Sequence, residues 1–222
     1  MKLLALSDVE LNFIYNPTVV ARFHDCDLVI GCGDLPFYYL EYVVSMLNRR
    51  TYYVHGNHAY PTESTESGDK TGPWGAVNVH RRTVRDESGL LIAGIEGSVR
   101  YNEGPYQYTQ SEMWEKVYRM APWLLLNRIR YGRYLDVFIS HAPPWQIHDD
   151  IDLPHHGIKA FRWLIEMFKP QVHLHGHIHV YRPGVVMETR YLATRVINAY
   201  GYRVIELNVP ASRSVFRHSQ KT

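Results

Sequence analysis

The sequence predicts one α/β domain in which two β-sheets face each other between layers of helices. Short apolar runs at 3–6, 28–30 and 51–54 indicate buried strands, and the apolar spacing of residues 38–47 indicates a helix before the third run. More strand-like segments follow than one helix-flanked parallel sheet would use, which favours two sheets. The 222 residues, 45% of them hydrophobic, are enough to bury the core of one such domain.

The later elements can be assigned in chain order. Residues 59–76, rich in Pro, Thr, Ser and Gly, are predicted to form a loop, as is the aromatic stretch 97–110. A long helix is predicted over 111–129, interrupted at Pro122 because proline removes a helical hydrogen bond. A further helix is predicted at 158–168, and strands at 77–79, 83–84, 90–95, 135–139, 172–174, 185–187, 195–199 and 202–207. The domain then spans residues 1–210, and residues 211–222 are predicted to be a flexible C-terminal tail.

Composition and charge argue against several classes of protein. The net charge of +2 is near neutral, whereas a dedicated nucleic-acid binder usually has a strongly basic face. Cys26 and Cys32 are too few for a secreted disulfide scaffold and are predicted to be buried thiols. The chain shows neither a signal-peptide pattern nor an apolar run of roughly 20 residues that could cross a bilayer. We therefore expect a cytoplasmic protein that does not act at a membrane, and the sequence leaves its oligomeric state open.

Five short motifs place metal-binding side chains at the ends of apolar runs. They are Asp8-Val9-Glu10, Gly33-Asp34, Gly56-Asn57-His58, His141 and Gly176-His177-Ile178-His179. Ligand sites in open α/β sheets collect at the carboxyl ends of strands, so these side chains are expected to meet. Together they supply three carboxylates, one amide and four imidazoles, enough ligands for two divalent metal ions side by side. The set predicts a metal-dependent hydrolase of phosphate esters, although any one residue alone could instead cap a strand or form a turn.

In their order these motifs resemble the signature of the calcineurin-like metallophosphoesterase superfamily, D-x-H, G-D, G-N-H-[DE], H and G-H-x-H, over residues 8–179. The resemblance implies that family's four-layer α/β/β/α sandwich. It also implies two metal sites that share Asp34: one ion held by Asp8, residue 10, Asp34 and His179, and the other by Asp34, Asn57, His141 and His177. A hydroxide bridging the ions would attack phosphorus, and His58 would protonate the leaving oxygen as general acid.

Two positions depart from this signature. Glu10 stands where the family has a histidine; as a ligand it would add negative charge and favour Mn²⁺, with Fe, Mg²⁺, Ni²⁺ or Zn²⁺ as alternatives. The other possibility is that Glu10 points away and the first ion binds weakly. Ala59 follows His58 where the family usually has Asp or Glu. Some members also carry a carboxylate a few residues after Gly-Asp that orients the catalytic histidine; here Glu41 is the next acid after Asp34 and would be its substitute. His58 could therefore be poorly oriented, with a slower chemical step.

Two further residues are candidates for contact with substrate. Arg100 lies in a loop that resembles a substrate-side loop of the family, and its guanidinium suits phosphate, although it could be an ordinary surface arginine. His156 precedes Gly157 where related small members carry a histidine near the site; its alternative is a loop that caps the next helix. The predicted activity is that of a phosphodiesterase or phosphomonoesterase for a small phosphorylated substrate. The competing prediction is a weakly active or inactive binding scaffold on the same fold, favoured by the changes at Glu10 and Ala59.

Overall fold

A computed structural model gives the fold of residues 1–66, 68–182 and 184–209; the predicted tail, 211–222, and the predicted domain end at residue 210 lie outside this described part. The strands are β1 (Lys2–Ser7), β2 (Leu28–Gly31), β3 (Arg50–Tyr53), β4 (Glu63–Thr65), β5 (Gly68–Lys70), β6 (Ala76–Asn78), β7 (Thr83–Arg85), β8 (Leu91–Ile95), β9 (Ser98–Val99), β10 (Gln107–Tyr108), β11 (Val137–Ser140), β12 (Val172–His175), β13 (Glu188–Tyr191), β14 (Thr194–Asn198) and β15 (Gly201–Glu206). The helices are α1 (Val19–Phe23), α2 (Phe37–Leu47), α3 (Gln110–Tyr131) and α4 (Lys159–Phe168). None of these helices is both long and apolar enough to cross a membrane.

Two large sheets form the centre of the fold. The first has the strand order β15–β1–β2–β3–β6, in which all neighbours are parallel except the antiparallel edge strand β15. The second has the order β13–β14–β12–β11–β8–β7, with four parallel central strands and an antiparallel strand at each edge. This arrangement confirms the α/β class and the two-sheet prediction.

Successive residues of each central strand face different layers, and both layers are apolar, which is why these strands are continuous hydrophobic runs. Leu3 and Ile139 pack between the two sheets. On the outer face of the first sheet, Leu4 and Val29 pack against α1 and α2. On the outer face of the second, Phe138 packs against α3 and α4. The four-layer α/β/β/α sandwich is therefore confirmed, as a single domain.

Helix α3 does not stop at Pro122, and the predicted interruption is wrong. Thr109 begins the helix with a capping box, in which its hydroxyl accepts the Glu112 N–H at 3.2 Å and Glu112 accepts the Thr109 N–H at 2.7 Å. Pro122 and Tyr118, whose carbonyl loses its helical donor, are both exposed, so water can replace the missing N–H. Burial of the face that includes Met120 outweighs the remaining cost.

Other differences from prediction concern short elements. The stretch 59–76 is not only loop, because β4 and β5 pair as an antiparallel hairpin, and 97–110 contains the parallel pair β9–β10. Residues 185–187 lie before β13 rather than forming a strand, and α1 was not predicted. Each of these elements has two to five residues, too few for hydrophobic periodicity to be decisive.

Candidate metal centre

The five motifs follow the ends of strands, as expected, and the backbone turns sharply there. Asp8 follows β1, Asp34 follows β2, and His177 follows β12. These three residues have positive φ angles of 66°, 54° and 67°, in the left-handed region that non-glycine residues rarely adopt. Such backbone strain is typical of functional sites, because the surrounding structure must hold it in place.

Glycine is required at two positions where the backbone meets these carboxylates. A Cβ added to Gly56 would lie 2.0 Å from Oδ1 of Asp34, and one added to Gly176 would lie 2.6 Å from Oδ2 of Asp8 and 1.9 Å from Oγ of Ser7. The space that a side chain would fill is occupied by the carboxylates themselves. Gly56 and Gly176 thus let two loops pass directly against candidate metal ligands.

Four hydrogen-bond acceptors converge on one point beside His141. Nδ1 of His141 lies 2.9 Å from the carbonyl of Cys32, a contact that assigns the ring proton to Nδ1 and leaves Nε2 with a lone pair. That Nε2 atom lies 3.1 Å from Oδ2 of Asp34, 2.9 Å from Oδ1 of Asn57 and 3.1 Å from Nδ1 of His177. His177 in turn directs Nε2 at the carbonyl of Pro154, 2.7 Å away, so its Nδ1 is also an acceptor.

Such a set of mutually facing acceptors requires a positive charge between them. Among the described residues, Asp34, His141 and His177 form a group whose ligand atoms all lie within 4.8 Å of one another. Imidazole nitrogens, a carboxylate and an amide oxygen are donors that divalent transition metals accept. The backbone carbonyls on the outer nitrogens of the two histidines orient both rings for ligation. These residues therefore fit a metal ion, and metal binding by Asp34, Asn57, His141 and His177 stays a prediction.

The pKa shifts follow from the same geometry. Burial would raise the pKa of Asp34, but the charge of His141 and the hydrogen bonds from His141 and from the His58 backbone lower it to about 2. Burial would lower the pKa of His141, yet Asp34 raises it to about 9. Burial and the charge of His141 lower the pKa of His177 to about 4. Without a metal, the His141 ring would therefore carry a second proton, on Nε2. A bound divalent cation would replace that proton.

Asp8 and His179 lie beside this group as a second, more open pair. The carboxylate oxygens of Asp8 accept the backbone N–H of His177 at 3.0 and 3.1 Å. Nε2 of His179 lies 3.7 Å from Oδ1 of Asp8, which raises the pKa of that imidazole, and its Nδ1 lies 2.7 Å from the hydroxyl of Tyr181. His179 thus presents Nε2 toward Asp8, in the orientation that ligation of a shared ion needs.

A family model described as calcineurin-like phosphoesterase matches residues 1–181. The chain belongs to the calcineurin-like phosphoesterase family. The family binds two divalent metal ions and hydrolyses phosphoesters, so membership implies metal-dependent phosphoester hydrolysis. A search of curated proteins gave no match.

Solved structures share this fold at low sequence identity. One aligns with 92% of this chain and 94% of its own at a TM-score of 0.63 and 15% identity. TT1561 of Thermus thermophilus aligns with 90% of this chain and 89% of its own at a TM-score of 0.60 and 18% identity. GAP50, described as the anchor in the inner membrane complex of Plasmodium, aligns with 89% of this chain and 70% of its own at a TM-score of 0.50 and 11% identity. At these identities the likeness shows the fold alone.

Glu10, at the position of the family histidine, lies apart from the acceptor group. It is exposed, and its carboxylate accepts a hydrogen bond from the hydroxyl of Tyr38 on α2. Metal ligation by Glu10 stays a prediction, and it requires this carboxylate to exchange Tyr38 for an ion. Glu41 does not orient His58: its two oxygens accept Lys70 Nζ at 2.8 and 2.9 Å, and one also accepts the Trp74 N–H.

His58 is anchored by its backbone and exposed through its side chain. Its N–H donates to Oδ1 of Asp34 at 2.8 Å, which fixes the residue next to the predicted bridging carboxylate. The imidazole lines a pocket of about 390 Å³ that also reaches Asp34. A side chain in this position can meet a substrate bound at the metal centre, as a general acid must.

Neither predicted substrate contact belongs to the group of acceptor atoms. The Arg100 guanidinium is 3.1 Å from a carboxylate oxygen of Glu112 and is also bonded to the Gln107 carbonyl, so phosphate would have to compete with both. His156 is half-buried in the loop before α4, and the structure gives its ring no contact with the acceptor group. Substrate binding by Arg100 and His156 stays a prediction. His155, the residue before His156, has its ring centroid 5.3 Å from that of His177.

Sequence reasoning missed residues that position the ligands. Tyr101 accepts the Asn57 amide N–H at 3.0 Å and so turns the amide oxygen toward His141. Tyr181 performs a similar task for His179, and the carbonyls of Cys32 and Pro154 do so for the two buried histidines. Backbone carbonyls leave no trace in a sequence. The only available signal was the excess of tyrosines in loops next to the motifs, which could not show which tyrosine meets which ligand.

Proposed function

We propose that the chain is a two-metal phosphohydrolase that cleaves small phosphoesters, as a phosphodiesterase or phosphomonoesterase. The observation that supports this most is the convergence of four acceptor atoms from Asp34, Asn57, His141 and His177 on one point, next to an exposed His58. A binding scaffold would have no need for a cation-demanding cluster beside a solvent-accessible imidazole.

Asp34, Asn57, His141 and His177 would hold one ion, and Asp8, Asp34 and His179, with Glu10 if it turns from Tyr38, would hold the other. When bound, such a pair of ions polarises a phosphoryl group and activates a water molecule for in-line displacement. The additional carboxylate of Glu10 would harden the more exposed site, which favours Mn²⁺. Neighbouring residues hold the ligands in position: Tyr101 orients Asn57 and Tyr181 orients His179. The left-handed backbone at Asp8, Asp34 and His177 keeps their side chains facing one another.

His58 completes the reaction at the leaving group. The oxygen of water would become bonded to phosphorus as the water gives up one proton to solvent, and the phosphorus–oxygen bond to the alcohol would break. The leaving oxygen would take a proton from His58, which regains one from solvent. General acid catalysis of this kind contributes typically about 10²–10⁴-fold to the rate. The benefit is largest for alkoxides, which leave poorly without a proton, and smallest for p-nitrophenolate.

The test is hydrolysis of p-nitrophenyl and alkyl esters, as diesters and monoesters, with Mn²⁺, Mg²⁺, Ni²⁺ and Zn²⁺. We expect metal-dependent turnover and a loss of about 10²–10⁴-fold in kcat for alkyl esters in His58→Ala, with a smaller loss for p-nitrophenyl esters. His24→Ala is the matched control, because His24 is exposed and lies between the end of α1 and the start of β2, whereas the motifs follow strand ends, so its removal should change nothing. Absence of turnover with every metal in folded protein would refute the proposal and leave the scaffold. An equal loss for both leaving groups would refute the general-acid role.

A further inference from the structure

The pocket beside Asp34 and His58 is larger than a phosphoryl group needs. Its volume of about 390 Å³ falls within the range of about 300–1,000 Å³ that is typical of small-ligand sites. Most of its wall is hydrocarbon or aromatic ring, contributed by Leu35, Phe37, Tyr38 and others. A phosphate would occupy only the end at Asp34, so the rest must accommodate another part of the substrate.

His58 indicates which part of the substrate enters. A general acid has to lie within hydrogen-bond reach of the oxygen that it protonates, which is the oxygen of the leaving group. Because His58 lines this pocket together with Asp34, the group that departs would extend into it. The part that remains on phosphorus would point elsewhere.

The aromatic rings favour a planar occupant. Tyr38 is 46% exposed and Tyr60 is 73% exposed, so both rings have free surface at the pocket. Tyr38 is nevertheless held by a T-shaped contact with the Tyr15 ring at a centroid distance of 5.7 Å, a contact that does not depend on whether Glu10 keeps the Tyr38 hydroxyl or ligates an ion. An aromatic ligand gains from such a pre-positioned ring, since little side-chain freedom is lost when it binds.

The charges favour a neutral occupant. None of the described residues that line the pocket is Lys or Arg, whereas Glu63 contributes a carboxylate. The N-terminus of α2 borders the pocket and would normally attract an anion, but Glu63 already accepts the Phe37 N–H at 3.2 Å. Lys70 lies 3.8 Å from Glu63 and is more closely paired with Glu41, so it offers little to an incoming anion. A second phosphate or carboxylate on the leaving group would therefore meet an unfavourable field.

One of the two departures from the family signature lines this pocket, and the other contacts a residue that lines it. Ala59 lines it at the position where the family usually has Asp or Glu. The smaller, uncharged alanine removes a negative charge and leaves more space in the pocket. Glu10 reaches it indirectly, by holding Tyr38. Ala59 is thus part of the pocket surface, and Glu10 contacts Tyr38, which is also part of it.

We propose that this pocket binds a neutral aromatic leaving group and so makes the chain selective for phosphoesters of aryl-bearing or nucleoside alcohols. This inference rests on the proposed hydrolase function. In the step concerned, the oxygen of water bonds to phosphorus as the water gives up one proton to solvent, and the bond from phosphorus to the aromatic alcohol's oxygen breaks. That oxygen departs with the proton from His58, which then takes a proton from solvent.

The first test is an unsymmetrical diester, benzyl methyl phosphate, followed by identification of the alcohol released. The pocket predicts benzyl alcohol and methyl phosphate. Methanol release would overturn the inference, because it would place the ring on the retained side. No hydrolysis of this or any other ester would instead be a failure of the hydrolase function itself. If only monoesters react, benzyl phosphate replaces the diester and ethyl phosphate serves as the comparison.

The second test compares kcat/KM for benzyl, ethyl and 4-carboxybenzyl esters. Stacking of a ring on an aromatic side chain predicts a preference of roughly 5- to 100-fold for benzyl over ethyl, which should fall toward 1 in Tyr60→Ala and Ala59→Asp. Glu63→Gln should relieve the discrimination against 4-carboxybenzyl without changing the benzyl-to-ethyl ratio. Tyr118→Ala, an exposed tyrosine on α3, is the control and should alter neither ratio.

A benzyl-to-ethyl ratio near 1 in the unmodified protein, or one that survives in both pocket variants, would overturn the inference. Adenosine 5′-monophosphate and its 5′-methyl ester, measured beside the benzyl esters, distinguish the two sources of a ring. A higher kcat/KM for the nucleotide indicates a nucleoside leaving group, and a lower one indicates a simple aryl alcohol.

Discussion

Replacement of Gly56 by alanine should greatly weaken metal binding while the protein still folds. The new Cβ would lie 2.0 Å from Oδ1 of Asp34 and 2.6 Å from its backbone nitrogen, so the carboxylate has to move and the backbone cannot simply follow. The φ angle of Gly56 is not positive, so alanine introduces no backbone strain of its own. Overpacking of this kind costs roughly 1–3 kcal/mol, or about 2–12 °C in Tm for a chain of this length.

The quantity that decides the test is the rise in Tm that Mn²⁺ produces. At free Mn²⁺ of 100 times its Kd, one site adds about 2.7 kcal/mol, which is a rise of about 5–11 °C in the Tm of the unmodified protein. If the displaced Asp34 weakens binding by about 100-fold, the same Mn²⁺ concentration adds only about 0.4 kcal/mol, a shift below about 2 °C. The assay is thermal unfolding with and without Mn²⁺, with calorimetric titration to count the ions.

Gly94→Ala is the matched control. Its Cβ would lie 2.8 Å from methyl groups of Val54 and Val79 and 3.0 Å from the Ile139 carbonyl, in the core between the sheets. It should lower Tm by a similar amount yet keep the full shift with Mn²⁺. A Gly56→Ala protein that retains the full shift would refute the assignment of Asp34 as a metal ligand.

Individual residues in the metal centre, the core and helix α3 give three more predictions. Glu10→Ala should remove one of two Mn²⁺ ions in a titration while the other keeps its affinity; retention of both would show that Glu10 is not a ligand. Burial lowers the pKa of His55 to about 4 and those of His80 and His173 to about 3, so between pH 6.5 and 4 the unfolded chain binds more protons than the folded one. Stability should fall as the pH decreases below about 6.5, by up to about 1.4 kcal/mol per pH unit for each histidine, and a Tm that is flat or rising toward pH 5 would contradict this. Thr109→Ala should cost about 1 kcal/mol, seen as a Tm lower by about 2–4 °C with unchanged Mn²⁺ binding, because α3 loses its capping box.

The sequence predicted that the motif residues would lie close together, because they follow the carboxyl ends of parallel strands. Asn57 and His141 are 84 residues apart and follow β3 and β11, parallel strands of different sheets, yet they meet at 2.9 Å because both lie beyond the carboxyl ends of those strands. Such convergence is a consequence of topology, and topology follows from the apolar runs. The ligand types at those ends then indicated the metal.

The remaining features depend on side-chain directions that no periodicity encodes. Glu10 accepts the Tyr38 hydroxyl and Arg100 pairs with Glu112, contacts between residues 28 and 12 positions apart in the chain. Pro122 stands inside α3 because packing of the opposite face outweighs the lost hydrogen bond. These outcomes are set by competition between contacts distant in sequence, which the local pattern does not contain.

The most direct test of the account is anomalous diffraction from crystals grown with Mn²⁺ and measured at the manganese edge. A two-metal centre bridged by Asp34 predicts two peaks about 3.5–4 Å apart with Asp34 between them. One should lie within bonding distance of Asn57, His141 and His177, and the other near Asp8 and His179. A single peak, or two peaks that do not share Asp34, would contradict the proposed centre.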